Sequence, residues 1–375
     1  MAVAGLGCPV KILVINGGSS SFKCSSYHVD GLAAEAPPPT WKAQATTLDE
    51  LLPSLPRDAD IVGHRIVHGG RAYRETTWLT PEVRAAIAKQ GEFAPVHNRF
   101  ELEAIETIDR VLGTSVRQAA VFDTGFHATL EPAAYVYPGP YGWLEQGIRR
   151  YGFHGISFQY SARRAAAMLR AQPESLRLIV CHTGNGASLA AVRGGKSVDT
   201  TMGFTPLEGL MMGTRSGSID PGILIYLLRH CGYAADQLEH ILNQESGLKG
   251  VSGISADMRD IEAAMDAGDE RARLAFAVYA HRVCREAGAM LASLGGLDAL
   301  VFTGGVGENS ARLRQRVCAA FYFLGLRLDA EANANPRLDA DVAAADSSVR
   351  VLVIHAQENW EIARECFRLA HNGRG

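Results

Sequence analysis

Aliphatic residues in this chain come in short runs that stop abruptly at small or polar residues. Such runs occupy positions 11–15, 61–67, 119–122, 178–181, 300–303 and 349–354, and each predicts a buried strand. Between them, apolar residues recur at helical spacing over 81–89, 100–112, 157–169, 271–294 and 311–324. Strands mixed with helices predict an α/β architecture. The proline-rich stretch 33–40 reads as a surface loop or linker.

The same pattern occurs twice where a strand ends. Val14-Ile15 runs into Asn16-Gly17-Gly18-Ser19-Ser20-Ser21 and on into the strand-like FKCSSYHV. Later, Ile179-Val180-Cys181 runs into His182-Thr183-Gly184-Asn185-Gly186-Ala187-Ser188 and on into LAAVRGG. Glycines and serines in such a turn can direct backbone N–H and hydroxyl groups at one small anion, although a lone Gly/Ser cluster also reads as an ordinary hairpin turn. As a pair, the two units predict related domains, each offering a cradle to a phosphorylated ligand. A third loop, Thr303-Gly304-Gly305-Val306-Gly307-Glu308-Asn309, follows a strand and opens a helix. None of the three is a G-x-x-x-x-G-K-[ST] phosphate loop.

Composition narrows the partners. The chain has 375 residues, 47% hydrophobic and 21% charged, which is enough for two domains with sizeable cores. Its net charge is −3 and no Lys/Arg block stands out, so neither nucleic acid nor a membrane surface is an expected partner. No run approaches a membrane span, and the N-terminal stretch, broken by Gly, Pro and Lys11, reads as the lead into a strand rather than a signal peptide. Seven scattered cysteines with no C-x-x-C pair favour the reducing cytoplasm.

Ionisable residues gather where the aliphatic runs end. Arg65 lies within Gly63-His64-Arg65-Ile66-Val67-His68, where it reads either as a salt-bridged strand arginine or as an anion ligand. His64 and His68 lack a third residue at zinc-ligand spacing. Asp123 follows the run 119–122, a position shared by catalytic acids, metal ligands and helix caps. Arg149-Arg150-Tyr151-Gly152-Phe153-His154 groups cations, aromatics and a histidine, and Arg215 stands among small residues that leave its planar fork accessible. Glu358 follows the last run, and one or two carboxylates suffice for a divalent metal that also rides on phosphates. Together these are parts suited to phosphoryl transfer, in which catalysis is positioning plus charge neutralisation.

In chain order, NGGSSSFK, GHRIVHGG, FAPVHN, FDTGFH, RRYGFHGIS, CHTGNGAS, TPLEGLMMGTRSGSIDP, SGISADMRDI, FTGGVGENS and QEN resemble the acetate kinases and their propionate and butyrate relatives, within the actin/hexokinase/Hsp70-like phosphotransferases. The resemblance implies duplicated actin-like (ribonuclease H-like) βββαβαβα domains with the nucleotide in an interdomain cleft. It implies domain I over 1–124 plus 360–375, domain II over 125–359, and a homodimer. It implies a reversible transfer of the ATP γ-phosphoryl group to acetate, giving acetyl phosphate, with Mg²⁺ or Mn²⁺.

Residue by residue, the resemblance assigns Asn16, Ser19, Ser21 and Lys23 to the first phosphate loop and His182, Asn185 and Gly186 to the second. Arg65 would clamp the acid, with Val67, Val96, Phe153 and Pro206 around its alkyl tail. Arg215 and His154, with His97 nearby, would neutralise the phosphoryl group in flight, and Asp123 would orient the attacking carboxylate or act in metal binding. Asn16 and Glu358 would hold the metal, while Asp257, Arg259, Gly305, Val306, Gly307 and Glu308 would border the adenosine.

The chain departs from the family pattern at several points. Ala356-Gln357-Glu358-Asn359 replaces Thr-Asn-Glu-Glu, Ser218 replaces Asp, Arg99 replaces Pro, Thr183 replaces Leu, and the segment between Val29 and Asp60 is shortened. Val96 in place of Leu widens the expected pocket by a methylene, so propionate or a larger acid is the alternative substrate. A non-catalytic actin-like nucleotide-binding module is the alternative of a different class, and it would lack Arg65 or Arg215.

Overall fold

A computed structural model describes residues 9–18, 21–89, 95–337 and 339–372, with the backbone alone for 95–99. The chain divides into two compact units, one comprising residues 1–128, 153–160 and 357–375, the other 129–152 and 161–356. Each is built on a six-stranded mixed sheet.

The first sheet consists of β1 (Val10–Gly17), β2 (Phe22–Val29), β3 (Trp41–Ala45), β4 (Ile61–Ile66), β5 (Thr77–Trp78) and β6 (Arg117–Phe122), in the order β3-β2-β1-β4-β6-β5. The second consists of β7 (Arg177–Thr183), β8 (Ala187–Arg193), β9 (Lys196–Thr200), β10 (Ala299–Thr303), β11 (Ala340–Asp341) and β12 (Arg350–Val353), in the order β11-β12-β10-β7-β8-β9. The two orders are the same topology. In each, an antiparallel meander of three strands is followed by two strands parallel to the first, and a two-residue strand closes the far edge. This is the duplicated α/β arrangement expected from the repeated strand, turn, strand pattern.

The central strands are covered on both faces. Ile12, Leu13, Val14 and Ile15 are all at most 2% exposed, which explains why β1 reads as a continuous apolar run rather than an alternating one. Helix Glu358–Asn372 packs closely on β4 because residue 63 is glycine: a Cβ there would meet Cys366 Sγ at 2.6 Å and Ile362 Cγ2 at 2.8 Å. That close approach carries Glu358, the first residue of the helix, to the end of β1. On the other face, Ile66, Val83, Ile87, Ile105, Ala120 and Phe122 form a core beneath helix Pro95–Leu112.

The helical spacing over 311–324 does not form one helix. It ends at Ala319 and resumes as a 3₁₀ turn, Tyr322–Leu324, closed by Gly325 in the left-handed conformation at φ 75°. Phe321 is buried while Tyr322 and Phe323 are exposed, so the consecutive aromatics do not share one buried face.

Candidate functional site

In the first unit, polar side chains collect at the C-terminal ends of the parallel strands, where open α/β sheets place their ligands. Asn16, at the end of β1, is 6% exposed and donates through Nδ2 to Glu358 Oε2 at 3.1 Å and Asn359 Oδ1 at 2.9 Å. Asn359 in turn donates to the Lys23 carbonyl at 3.1 Å and Ser25 Oγ at 2.9 Å. This accounts physically for the asparagine where the family pattern has a carboxylate: an ionised carboxylate has no proton for the Lys23 carbonyl. The turn between β1 and β2 is closed by the Gly18 N–H to the Ser21 carbonyl at 2.9 Å, and Ser19 lies outside the described residues.

Arg65, on β4, donates to the Gly17 carbonyl at 2.8 Å and to Asp123 Oδ2 at 2.9 Å. Burial opposes its charge, but the carboxylates of Asp123, Glu358 and Glu101 outweigh burial and push its pKa up, so the guanidinium stays protonated. The Asp123 side chain is about 1% exposed, and its Oδ2 also accepts the His154 N–H at 2.9 Å. His154 adopts φ 58°, a left-handed conformation that costs a non-glycine residue roughly 1–2 kcal/mol. The bond to Asp123 offsets that cost and ties the histidine loop to Arg65. Gly155 completes the junction, since a Cβ there would meet the Asp123 carbonyl at 2.2 Å.

Val67 and Phe153 are 4% and 2% exposed, and the Phe153 ring meets that of His68 edge-on at 5.7 Å. The structure therefore brings Asn16, Arg65, Val67, Asp123, Phe153, His154 and Glu358 together within one unit. Val96 and His97 lie at the start of helix Pro95–Leu112, but their side chains, like that of Arg99, are outside the described residues. No group of three or more His, Cys, Asp or Glu suited to a metal occurs among the described residues. Glu358 and Asn16 instead offer one carboxylate and one amide oxygen, the sparse hard-oxygen set that suits Mg²⁺ when phosphates and water supply the remaining ligands.

The second unit holds the other half of the predicted residues. Its turn between β7 and β8 is closed by the Gly184 N–H to the Gly186 carbonyl at 2.9 Å, and the Asn185 carbonyl accepts the Gly213 N–H at 3.0 Å. Gly304, at φ 79°, begins the helix Gly304–Asn309, and a Cβ there would meet the Thr183 carbonyl at 2.8 Å. These loops and the helix Met258–Asp266 enclose a cavity of about 630 Å³ lined by Gly184, Asn185, Asp257, Arg259, Gly305 and Val306, among others. The size suits a nucleoside with part of its phosphate chain. Asp257 caps its helix by accepting the Arg259 N–H at 2.9 Å and is ion-paired with the Arg259 side chain.

Glu308 has a different environment from its neighbours in sequence. Its carboxylate accepts N–H groups from Gly304 at 3.0 Å and Ala356 at 2.9 Å and lies 2.7 Å from His355 Nδ1. Burial would raise its pKa, but His355 and these N–H groups hold it below the usual carboxylate value. The glycine loop is thus braced from within. Arg314 supplies a second brace that sequence reading missed: it is fully buried and donates to the carbonyls of Gly307 and Glu308, each at 2.8 Å. Its only sequence signal is a charge among the apolar positions of a helix.

Arg215 donates to the Pro206 carbonyl at 2.7 Å. Its loop is pinned by backbone: Met212 N–H bonds the Arg215 carbonyl at 3.1 Å, and Ser246, Leu248 and Lys249 donate to Thr214, Met212 and Gly213. Ser218, where the family pattern has Asp, exchanges two bonds of 3.0 Å with the Gly209 backbone and closes the same loop. Arg150, a further residue that sequence reading did not assign, bonds the carbonyls of Thr200, Thr201 and Met202 and pairs with Glu208 at 2.7 Å.

Comparison with known proteins points to one family. The family described as the Acetokinase family matches residues 42–364. An acetate kinase from Gloeobacter violaceus is 54% identical, the match covering 96% of this chain and 99% of that protein. One from Nostoc sp. is 51% identical, with 96% and 99% covered. Among solved structures, an acetate kinase from Porphyromonas gingivalis superimposes with a TM-score of 0.86 at 37% identity, covering 96% of this chain and all of that one. A propionate kinase from Francisella tularensis gives 0.85 at 34% identity, covering 95% and 98%.

Proposed function

The chain belongs to the acetokinase family, and from that premise we propose that it is an acetate kinase, which moves the γ-phosphoryl group of ATP reversibly onto acetate to give acetyl phosphate and ADP. The observation that carries the reading is the buried Arg65–Asp123 pair at the ends of adjacent parallel strands, beside Asn16 and Glu358. A fixed, permanently charged guanidinium at that position suits a small carboxylate, and the apolar side chains of Val67 and Phe153 suit its methyl group.

Acetate is already an anion at neutral pH, so it attacks phosphorus without a general base. What the reaction requires is alignment and neutralisation of charge. Arg65 would hold the acid, and Asp123 would orient it indirectly, by fixing the guanidinium and the His154 backbone. Arg215 and His154 would counter the charge on the phosphoryl group as the bond to the ADP oxygen breaks and the bond to the acetate oxygen forms. Asn16 and Glu358 would hold Mg²⁺ or Mn²⁺, which supplies neutralising charge on the nucleotide phosphates when bound. Ser21 and Lys23 would contact phosphate from the first loop, and His182, Asn185 and Gly186 from the second. Asp257, Arg259 and Gly305 through Gly307 would border the adenosine, with Glu308 keeping their loop in shape.

Acyl-hydroxamate formation with Mg-ATP and formate, acetate, propionate, butyrate and isobutyrate tests the reading. Turnover is expected to peak at acetate, each added methylene changing kcat/KM by about 10–200-fold. A maximum at propionate would favour the substrate named for the Francisella tularensis relative. No turnover with any acid, despite ATP binding, would remove the kinase assignment.

The reading extends to assembly and location. Ile223, Ile225, Tyr226 and Leu228, spread around helix Pro221–His230, are 46%, 51%, 59% and 46% exposed, which supports burial of this helix in a homodimer. Sedimentation equilibrium is expected to give twice the chain mass, and a monomer at micromolar concentration would count against the dimer. No helix among the described residues is long and apolar enough to cross a membrane. The cysteines at 24, 181, 231, 284, 318 and 366 are free thiols, as suits the cytoplasm.

A further inference from the structure

Glu101 lies on the buried face of helix Pro95–Leu112 and has no role in the reaction as described so far. It shares that face with Ala104, Ile105 and Ile108, all at most 4% exposed, and is itself only 6% exposed. Its Oε1 accepts the Val67 N–H at 2.8 Å, two residues along the chain from Arg65. Its Oε2 is buried and has no hydrogen-bond partner among the described residues. A carboxylate oxygen so placed is costly when ionised, and a carboxyl group at this position needs a reason.

We propose that Glu101 is a positioning residue for the acid-binding site, holding Val67 through one carboxyl oxygen and setting, through its charge state, how strongly Arg65 attracts an anion. The proposal rests on the assignment of Arg65 to the carboxylate substrate. Burial raises the Glu101 pKa to about 8, against the opposing influence of the Val67 N–H and Arg65 and with reinforcement from Asp123. The charged groups acting on it are thus Arg65 from β4 and Asp123 at the end of β6, while Glu358 acts on Arg65 from the C-terminal helix. His68, in the loop after β4, adds no charge near neutral pH, because burial lowers its pKa to about 4.

The consequence has a definite sign. Near neutral pH Glu101 is protonated, and the positive charge of Arg65 is opposed by Asp123 and Glu358 without a contribution from residue 101. Above about pH 8, Glu101 gains a negative charge that acts on Arg65 and the affinity for an anionic substrate falls. By linkage, bound carboxylate raises the Glu101 pKa by the same factor that Glu101 ionisation weakens binding. A coupling of half to one pK unit is about a threefold to tenfold change.

Two measurements on the full chain test this. In the first, KM for acetate and kcat are followed from pH 6.5 to 9.5 at saturating Mg-ATP in the wild type and in Glu101→Gln, which keeps an oxygen for Val67 but cannot ionise. KM of the wild type is expected to rise about threefold to tenfold over the alkaline limb, more than kcat changes, whereas KM of the variant stays level. In the second, ¹³C NMR of labelled glutamate carboxyl groups, assigned by the signal lost in Glu101→Gln, is expected to show a midpoint near 8 that acetate moves upward. A wild-type KM that stays level, or an alkaline rise shared by the variant, overturns the proposal and leaves the kinase reading standing. If no acid is phosphorylated, the kinase reading falls and the NMR midpoint decides: an ordinary carboxylate value, or one indifferent to acetate, overturns the role of Glu101 as well.

Discussion

Arg65→Ala is expected to lower kcat/KM for the acid by at least about a thousandfold and to destabilise the protein by roughly 3 kcal/mol. The two effects have one origin. The guanidinium ties the Gly17 carbonyl to Asp123 Oδ2, and Asp123, about 1% exposed at its side chain, loses its ion-pair partner if Arg65 is removed. Removing one member of a buried ion pair leaves the other charge desolvated, which costs more than the pair contributes in place. Arg65→Lys is not a rescue, because a single ammonium on a flexible stem does not reproduce the planar fork that reaches two acceptors in different directions. Steady-state hydroxamate kinetics and a thermal melt measure both quantities. Activity within tenfold of the wild type would remove Arg65 from the substrate site, whatever the melt showed.

The fold was legible because its signal is repeated. Two strand, glycine-rich turn, strand units stand out in the sequence, and the two sheets do share one strand order. The short edge strands β5 and β11 left no trace, because two residues are too few to show any period. The candidate site was legible where function demands unusual residues in unusual settings: an arginine inside an aliphatic strand, an aspartate at a strand end, a histidine between glycines. What stayed hidden was the support. Glu101 and Arg314 look in sequence like solvated charges on helices, and Arg150 stands out as a cation of an unusual loop but without a role, since a window of neighbours does not reveal which carbonyl or N–H a long side chain reaches after folding. Glu308 was misleading in another way. It lies close in sequence to Gly305 and Val306, which line the cavity of the second unit, while its carboxylate points into backbone N–H groups and His355. The sequence pattern identifies a loop, and only packing separates the residues that face a ligand from those that hold the loop.

Arg215→Ala is expected to show the opposite balance to Arg65→Ala, with a loss of about 10³–10⁵ in kcat and a melting temperature close to that of the wild type. The difference follows from what each side chain supports. Arg65 is part of the packing of its unit, whereas the Arg215 loop keeps its shape through backbone bonds from Ser246, Leu248 and Lys249 and through Ser218. The bond that Arg215 makes to Pro206 is to a neutral backbone carbonyl. Binding of ATP should survive, because the lining of the cavity proposed for the nucleotide does not include Arg215. A cation that acts mainly on charge developing in flight stabilises the transition state far more than the bound substrates, so the loss belongs in kcat rather than KM. Kinetics with acetate varied, an ATP titration and a melt separate the cases. A loss in kcat below tenfold would take Arg215 out of the phosphoryl-transfer step. A large fall in melting temperature would show that the backbone bonds do not hold the loop by themselves, and that the arginine serves structure first.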